Sequence, residues 1–209
     1  MKKRIAVICA LVSFLPLGQS LVIGTVATLT STAVMLAVPE KAQAESSDFY
    51  YERGLKNIKS GDFDAAISNF NKVIEKNPRD ADAYVNRGYA KHQSSYLYGA
   101  ISDFNKAIEI DPRNAISYNN LGWSKNDLKD YKGAIVDLNR AIDINPKYGN
   151  AFYNRGRSKY YLNDAYGAIS DFNTAIKYQP TRLDYVYGFR GVAKERIGDM
   201  EGACADWRK

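Results

Sequence analysis

An all-α solenoid of stacked antiparallel helix hairpins, preceded by an apolar N-terminal leader, is the architecture expected of this 209-residue chain. Three residue types carry the expectation. Pro78, Pro112, Pro146 and Pro180 are 34 residues apart. Gly54, Gly88, Gly122 and Gly156 hold the same period, and so do Ala66, Ala100, Ala134 and Ala168. Three residue types locked in one period at fixed mutual offsets mark a supersecondary unit stacked on itself. The units run 47–80, 81–114, 115–148 and 149–182, with a partial fifth at 184–209. Together they make one domain, 45–209, behind a leader at 1–44.

Each unit reads as two helices. The segments around Tyr84 to Gln93 and Ala100 to Ile110 have helical apolar spacing. In the second, Ile101, Phe104, Ala107 and Ile108 form a stripe, and Ser102, Asp103, Asn105 and Lys106 between them are polar. Turn formers such as Lys59-Ser60-Gly61-Asp62 and Leu128-Lys129-Asp130 separate the helices. Pro112 stops the second helix, because a proline disfavours helical geometry in the residue before it. A hairpin with one apolar side cannot bury that side alone, so neighbours stack. Gly88 is expected opposite Ala100 and Ala107, where small side chains let the helix axes approach. Tyr50, Tyr84, Tyr118 and Phe152 in the first helices, with Phe70, Phe104, Leu138 and Phe172 in the second, are expected to fill the space between units.

The leader has the parts of a secretory signal. Lys2-Lys3-Arg4 precede a stretch without charge up to Glu40, and Ala42-Gln43-Ala44 is an A-x-A site. A usual signal is about 15–30 residues long, shorter than this one. The apolar stretch divides at Gly18-Gln19-Ser20. Ile5 to Leu17 suits a signal core, and Leu21 to Val38 nearly suffices to span a bilayer. Two readings stand: a signal peptide cleaved after Ala44, or a membrane anchor through residues 5–38. Basic residues ahead of the apolar stretch stay inside. Either reading therefore exports the body, to the periplasm, a thylakoid lumen or the medium, or holds it anchored outside the cytoplasm.

Composition excludes several functions. The chain carries 29 basic and 23 acidic residues, and 25 and 22 of them fall in residues 45–209. So mild and dispersed a surplus is not the footprint of a nucleic-acid binder. Cys9 and Cys204 are the only cysteines and His92 the only histidine, which removes disulfide frameworks and clustered metal ligands. Cys204 reads as a small buried hydrophobe. Asp62 and Asp64 lie in a turn and read as solvating or capping groups. No nucleophile has a base beside it and no phosphate loop is present, so neither an enzyme nor a cofactor or metal site is expected.

A 34-residue helix–turn–helix with an aromatic, then Leu-Gly, then Ala, Phe, Ala and Pro resembles the tetratricopeptide repeat. Asn120-Leu121-Gly122 through Pro146 matches that pattern best. The form Asn86-Arg87-Gly88 and Asn154-Arg155-Gly156 is similar to repeats common in exported proteins of photosynthetic and other bacteria. The resemblance implies a right-handed superhelix whose first helices line a concave groove, and a protein–protein scaffold as its use. The fifth copy departs from the pattern. Gly191 and Ala203 sit one residue late, Gly188 is expected to weaken the helix, and Trp207 replaces the second-helix Phe.

The family pattern places Leu before the glycine, where this chain has Arg53, Arg87, Arg155 and Arg190. Sixteen residues after three of them stand Asp103, Asp171 and Asp206; the other units read Arg53 with Asn69 and Leu121 with Asp137. A partly buried guanidinium needs a hydrogen-bonded acid, so each arginine is expected to reach across its hairpin to that aspartate. A row of arginines reading phosphate is the other use, and the acids keeping step favour pairing.

By the resemblance, the residue two before the glycine and the one after it face the groove. The candidate peptide-binding residues are therefore Asn86, Asn120 and Asn154, with Tyr89, Trp123 and Arg157, and one turn further His92, Asn126 and Tyr160. An amide both donates and accepts, so such a row would hold a peptide backbone whatever its side chains. The alternative for the asparagines is helix-to-helix bonding. The basic residues do not align as a clamp for a C-terminal carboxylate, because Tyr51, Val85, Asn119 and Tyr153 occupy that row. The functional expectation is a non-enzymatic scaffold holding a segment of a protein partner in the groove, in assembly of a membrane or envelope complex. The alternative is a structural adaptor that self-associates through the ends of the array, with Trp207 near one of them.

Overall fold

The computed structural model describes residues 46–209. The expectations for the leader, Cys9 included, lie outside the described residues. Ten helices follow one another: α1 Ser47–Ser60, α2 Phe63–Lys76, α3 Ala81–Gln93, α4 Leu97–Ile110 and α5 Ala115–Asp127. Then come α6 Tyr131–Ile144, α7 Gly149–Tyr161, α8 Ala165–Lys177, α9 Leu183–Arg196 and α10 Met200–Trp207. Among the described residues there is no strand, and no helix is long and apolar enough to cross a membrane.

Local chemistry sets the boundaries. Asp62 accepts from the Ala65 amide, Asp130 from Gly133, Asp164 from Gly167 and Asp199 from Gly202, so four second helices have a side-chain N-cap. Tyr96 stands at that position in α4 and provides no cap bond. Every hairpin turns through one left-handed residue: Gly61, Ser95, Lys129, Asn163 and Gly198, at φ between 61° and 85°. Only two of these are glycines, although glycine adopts that conformation without steric cost.

Each odd helix packs on the even helices before and after it and on the odd helix of the next unit; the even helices make no comparable contact with each other. The odd helices therefore form the crowded inner side, and the even helices splay on the outside. The buried clusters straddle the unit borders. Ala66, Phe70 and Val73 of unit one pack with Ala83 and Ala90 of unit two. Ala168, Phe172 and Ala175 of unit four pack with Val186 and Ala193 of unit five. A unit buries its apolar side only against its neighbour, as the one-dimensional logic of solenoids requires.

Three local expectations change. The glycines face the large second-helix side chain rather than the alanines. A Cβ on Gly88 would lie 2.7 Å from the Phe104 ring, and one on Gly156 2.7 Å from Phe172. Gly122 meets Leu138 in the same way. Phe70, Phe104, Leu138 and Phe172 are fully buried, as fillers between units should be. Gly188 does not break α9, which runs 14 residues through it. Cys204 is half-buried rather than buried.

The arginine–aspartate pairs form. Arg87 donates Nε and Nη2 to Asp103 at 2.9 and 2.6 Å, and Arg155 donates to Asp171 at 2.9 and 2.7 Å. Arg190 makes the same bidentate contact with Asp206. Each arginine does more than its sequence spacing suggests. Its Nη1 reaches back to an asparagine of the preceding unit at 2.7 Å: Arg87 to Asn71, Arg155 to Asn139, Arg190 to Asn173. A lysine one turn on adds a second cation to each acid, Lys91 to Asp103, Lys159 to Asp171 and Lys194 to Asp206. In unit three, where Leu121 replaces arginine, Lys125 alone holds Asp137 at 2.6 Å. Burial pushes the Asp137 carboxyl up, and one lysine does not reverse it. Burial acts the same way on Asp206, but Arg190 and Lys194 outweigh it and hold that carboxyl below its ordinary range.

Candidate functional site

The inner side of α3, α5 and α7 carries all nine candidate residues. A helix exposes one face, and residues three or four apart share it. So Asn86 and Tyr89, Asn120 and Trp123, and Asn154 and Arg157 stand beside each other in successive helices.

The asparagines are engaged with neighbouring helices. Asn86 donates Nδ2 to the Tyr51 hydroxyl at 2.9 Å and to the Asp82 carbonyl at 2.8 Å. Asn154 donates to Asn119 Oδ1 at 3.0 Å, and Asn119 donates to Asn120 Oδ1 at 3.0 Å. Asn126 donates to the Asn154 carbonyl at 2.9 Å and accepts from Ser158 Oγ at 2.6 Å. Asn120, Asn126 and Asn154 are all buried. These bonds tie α3 to α1 and α7 to α5 beneath the inner surface.

His92 is buried as well, not a surface residue. Its ring lies on Trp123 with centroids 3.6 Å apart. Its Nε2 is 3.1 Å from Asp127 Oδ2, and Asp127 Oδ1 is 3.1 Å from Arg157 Nη2. A polar chain thus runs through units two, three and four. Burial pushes the Asp127 carboxyl up, yet His92 and Arg157 outweigh it and hold the group below its usual range.

Half-buried aromatic faces and one cation remain on the surface. Tyr89 lies 6.1 Å from Trp123. Arg157 sits over the Phe189 ring at 5.6 Å. Tyr160 meets Tyr161 and Phe189 edge-on and carries Arg196 on its face at 4.0 Å. Burial pushes the Tyr153 hydroxyl up to about 12, so it stays a neutral donor and acceptor. The Asp82 carboxyl is raised by burial and by the like charges of Asp80 and Asp111. Rigid aromatic faces beside a cation are the side chains that anchor protein interfaces.

Residue types alone do not point to Asn119, Ser158, Asp127 or Tyr161. Asn119 falls in another row, Asp127 and Tyr161 lack a periodic partner, and Ser158 keeps step with Ser124 alone. The lysines at 91, 125 and 159 and the asparagines at 71, 105, 139 and 173 are legible, since they keep the 34-residue period.

Stacked hairpins with a lined inner face and bonded unit borders define an interaction module of the helical-repeat class. The repeat itself is the tetratricopeptide repeat: models of that repeat match residues 50–95, 81–114 and 115–148, so the chain carries tetratricopeptide repeats across 50–148. Several solved structures are similar. A crystal structure of MamA is 25% identical, with TM-score 0.64 over 79% of this chain and 90% of that one. MamA from Desulfovibrio magneticus RS-1 is 16% identical, with TM-score 0.66 over 78% of this chain and 91% of its own. A thermophilic TPR protein in Thermus thermophilus is 17% identical, with TM-score 0.67 over 78% of this chain and 89% of that one. The last two likenesses show the fold alone. No curated protein matches the chain at a significant level.

Proposed function

We propose that the protein is a non-enzymatic scaffold outside the cytoplasm that holds a segment of a partner protein in its concave groove, in assembly of a membrane or envelope complex. The row of half-buried Tyr89, Trp123, Arg157 and Tyr160 carries this reading. Their bodies are fixed by the helices beneath, so little entropy is lost when a partner covers them. The asparagines contribute by rigidity. Their amides hold the helices in register, and the aromatic faces and Arg157 make the contacts. The basic start, the apolar stretch and the Ala42-Gln43-Ala44 site support export. The balanced charge of residues 45–209 supports a protein rather than a nucleic acid as partner.

The experiment is capture in the native host. The tagged chain is crosslinked and its companions identified, beside a Tyr89→Ala, Trp123→Ala, Tyr160→Ala variant whose helicity is checked by circular dichroism. The expected result is a companion lost from the folded variant. Identical companions on both would refute the groove reading.

A further inference from the structure

The face that unit five presents beyond α10 has a chemistry that the inner junctions do not. At three of the four inner junctions, two consecutive residues of the incoming first helix do two jobs. The first meets a residue on the first helix already in place, one position earlier in that unit: Asn86 meets Tyr51, Asn154 meets Asn119, and Phe189 meets Tyr153 with centroids 6.0 Å apart. The second is the arginine that reaches the asparagine of the preceding second helix, as Arg190 reaches Asn173.

The face of unit five repeats this socket with three changes. Gly188 takes the place of Tyr51, Val85, Asn119 and Tyr153, and a Cβ there would meet nothing within 4 Å. Trp207 takes the place of the fully buried Phe70, Phe104, Leu138 and Phe172, and is 48% exposed. Arg208 takes the place of Asn71, Asn105, Asn139 and Asn173; it is exposed and has no partner among the described residues. The result is a notch floored by Gly188, walled by an indole and edged by a guanidinium.

We propose that this face docks an amphipathic helix of a different protein, one that presents a large apolar side chain followed at once by Glu or Asp. The inner junctions already accept a helix in this socket. The missing side chain at Gly188 leaves room for a bulky apolar residue, which would cover the exposed face of Trp207. Replacing an amide by a guanidinium inverts the charge preference at the next position, and a carboxylate matches the planar fork. Lys209 beside it adds to the same field. A second copy of this chain does not fit. Its first unit would present Glu52 to the apolar notch and Arg53 to Arg208, a polar group without a partner and a like-charge contact. This inference does not rest on the groove.

The test uses two synthetic peptides with the sequence of α9, Leu183–Arg196, one unaltered and one with Arg190→Glu. Each carries Phe189 ahead of the variable residue. Binding to the full chain is read by fluorescence anisotropy. The Glu peptide is expected to bind about tenfold tighter, the factor given by roughly 1.4 kcal/mol of altered pairing. Arg208→Glu in the protein should reverse the order of the two peptides. Gly188→Leu should weaken the Glu peptide at least about tenfold by filling the notch, with helicity unchanged because the site is open. Equal affinities, absence of binding by both peptides, or an order unmoved by Arg208→Glu would overturn the proposal. So would loss of binding in Trp123→Ala, which would place the peptide in the groove instead.

Discussion

Asp103→Ala tests the linkage that ties the units together. The carboxylate side chain is 4% exposed, and it takes two bonds from Arg87 and one contact from Lys91 at 2.8 Å. Removing one member of a buried ion pair costs about 3–5 kcal/mol, since the remaining charge stays buried and unpaired. The arginine and lysine side chains here are each 16% exposed and can turn partly toward water, which lowers the expected loss to about 2–3 kcal/mol. In a domain of this size each kcal/mol moves the melting midpoint by about 2–4 °C, so a fall of roughly 5–10 °C is expected. The readout is circular dichroism of the helix signal during heating, at neutral pH and at low and high salt. The loss should persist in salt, because buried pairs are little screened. Asp137→Ala is the internal control. That acid has one cation, Lys125, in place of an arginine and a lysine, and burial already disfavours its charge. Its loss should be less than half as large. A shift under about 2 °C for Asp103→Ala, or one no larger than that of Asp137→Ala, would refute the ladder as a source of stability.

Other outcomes follow from the same geometry. Gly88→Ala should cost about 1–3 kcal/mol, because the new methyl would press on the Phe104 ring, whereas Gly188→Ala should raise stability by up to about 1 kcal/mol through helix propensity alone. Urea titration of the two variants reads both signs. Lys129→Gly should stabilise by about 0.5–1 kcal/mol by relieving a left-handed lysine at φ 64°; an unchanged urea midpoint would count against it. Asp206 has a folded pKa held below its unfolded value, so its contribution is present above about pH 4 and is lost as pH falls through the folded value. Asp206→Asn should therefore lower the melting midpoint at neutral pH, and the gap to the unaltered chain should close in strong acid. A gap that stays constant with pH would refute the assignment.

The fold is almost wholly legible in the chain because a solenoid writes its packing as a period. Pro, Gly and Ala at 34-residue spacing locate every full unit, and four of the five hairpins start their second helix with an aspartate cap that can be read from the chain. The Arg87–Asp103 type of pair is legible for the same reason: two residues of one unit keep a fixed separation of 16.

What the chain order alone does not decide is which side chains remain available once neighbours are in place. Asn120, Asn126 and Asn154 have the composition of a peptide-holding row, but Asn126 has both ends of its amide bonded, to Ser158 and the Asn154 carbonyl, Asn154 gives its NH2 to Asn119, and Asn120 accepts from Asn119. His92 reads as a groove-facing residue and is buried against Trp123, next to Asp127. Gly188 reads as a helix weakener, and its meaning is the open space beside it. Local spacing sets helices, caps and contacts within a unit, because those partners lie a constant distance along the chain. Burial and hydrogen-bond occupancy depend on which residue the next helix presents at that level. Only the stacked structure brings those residues together.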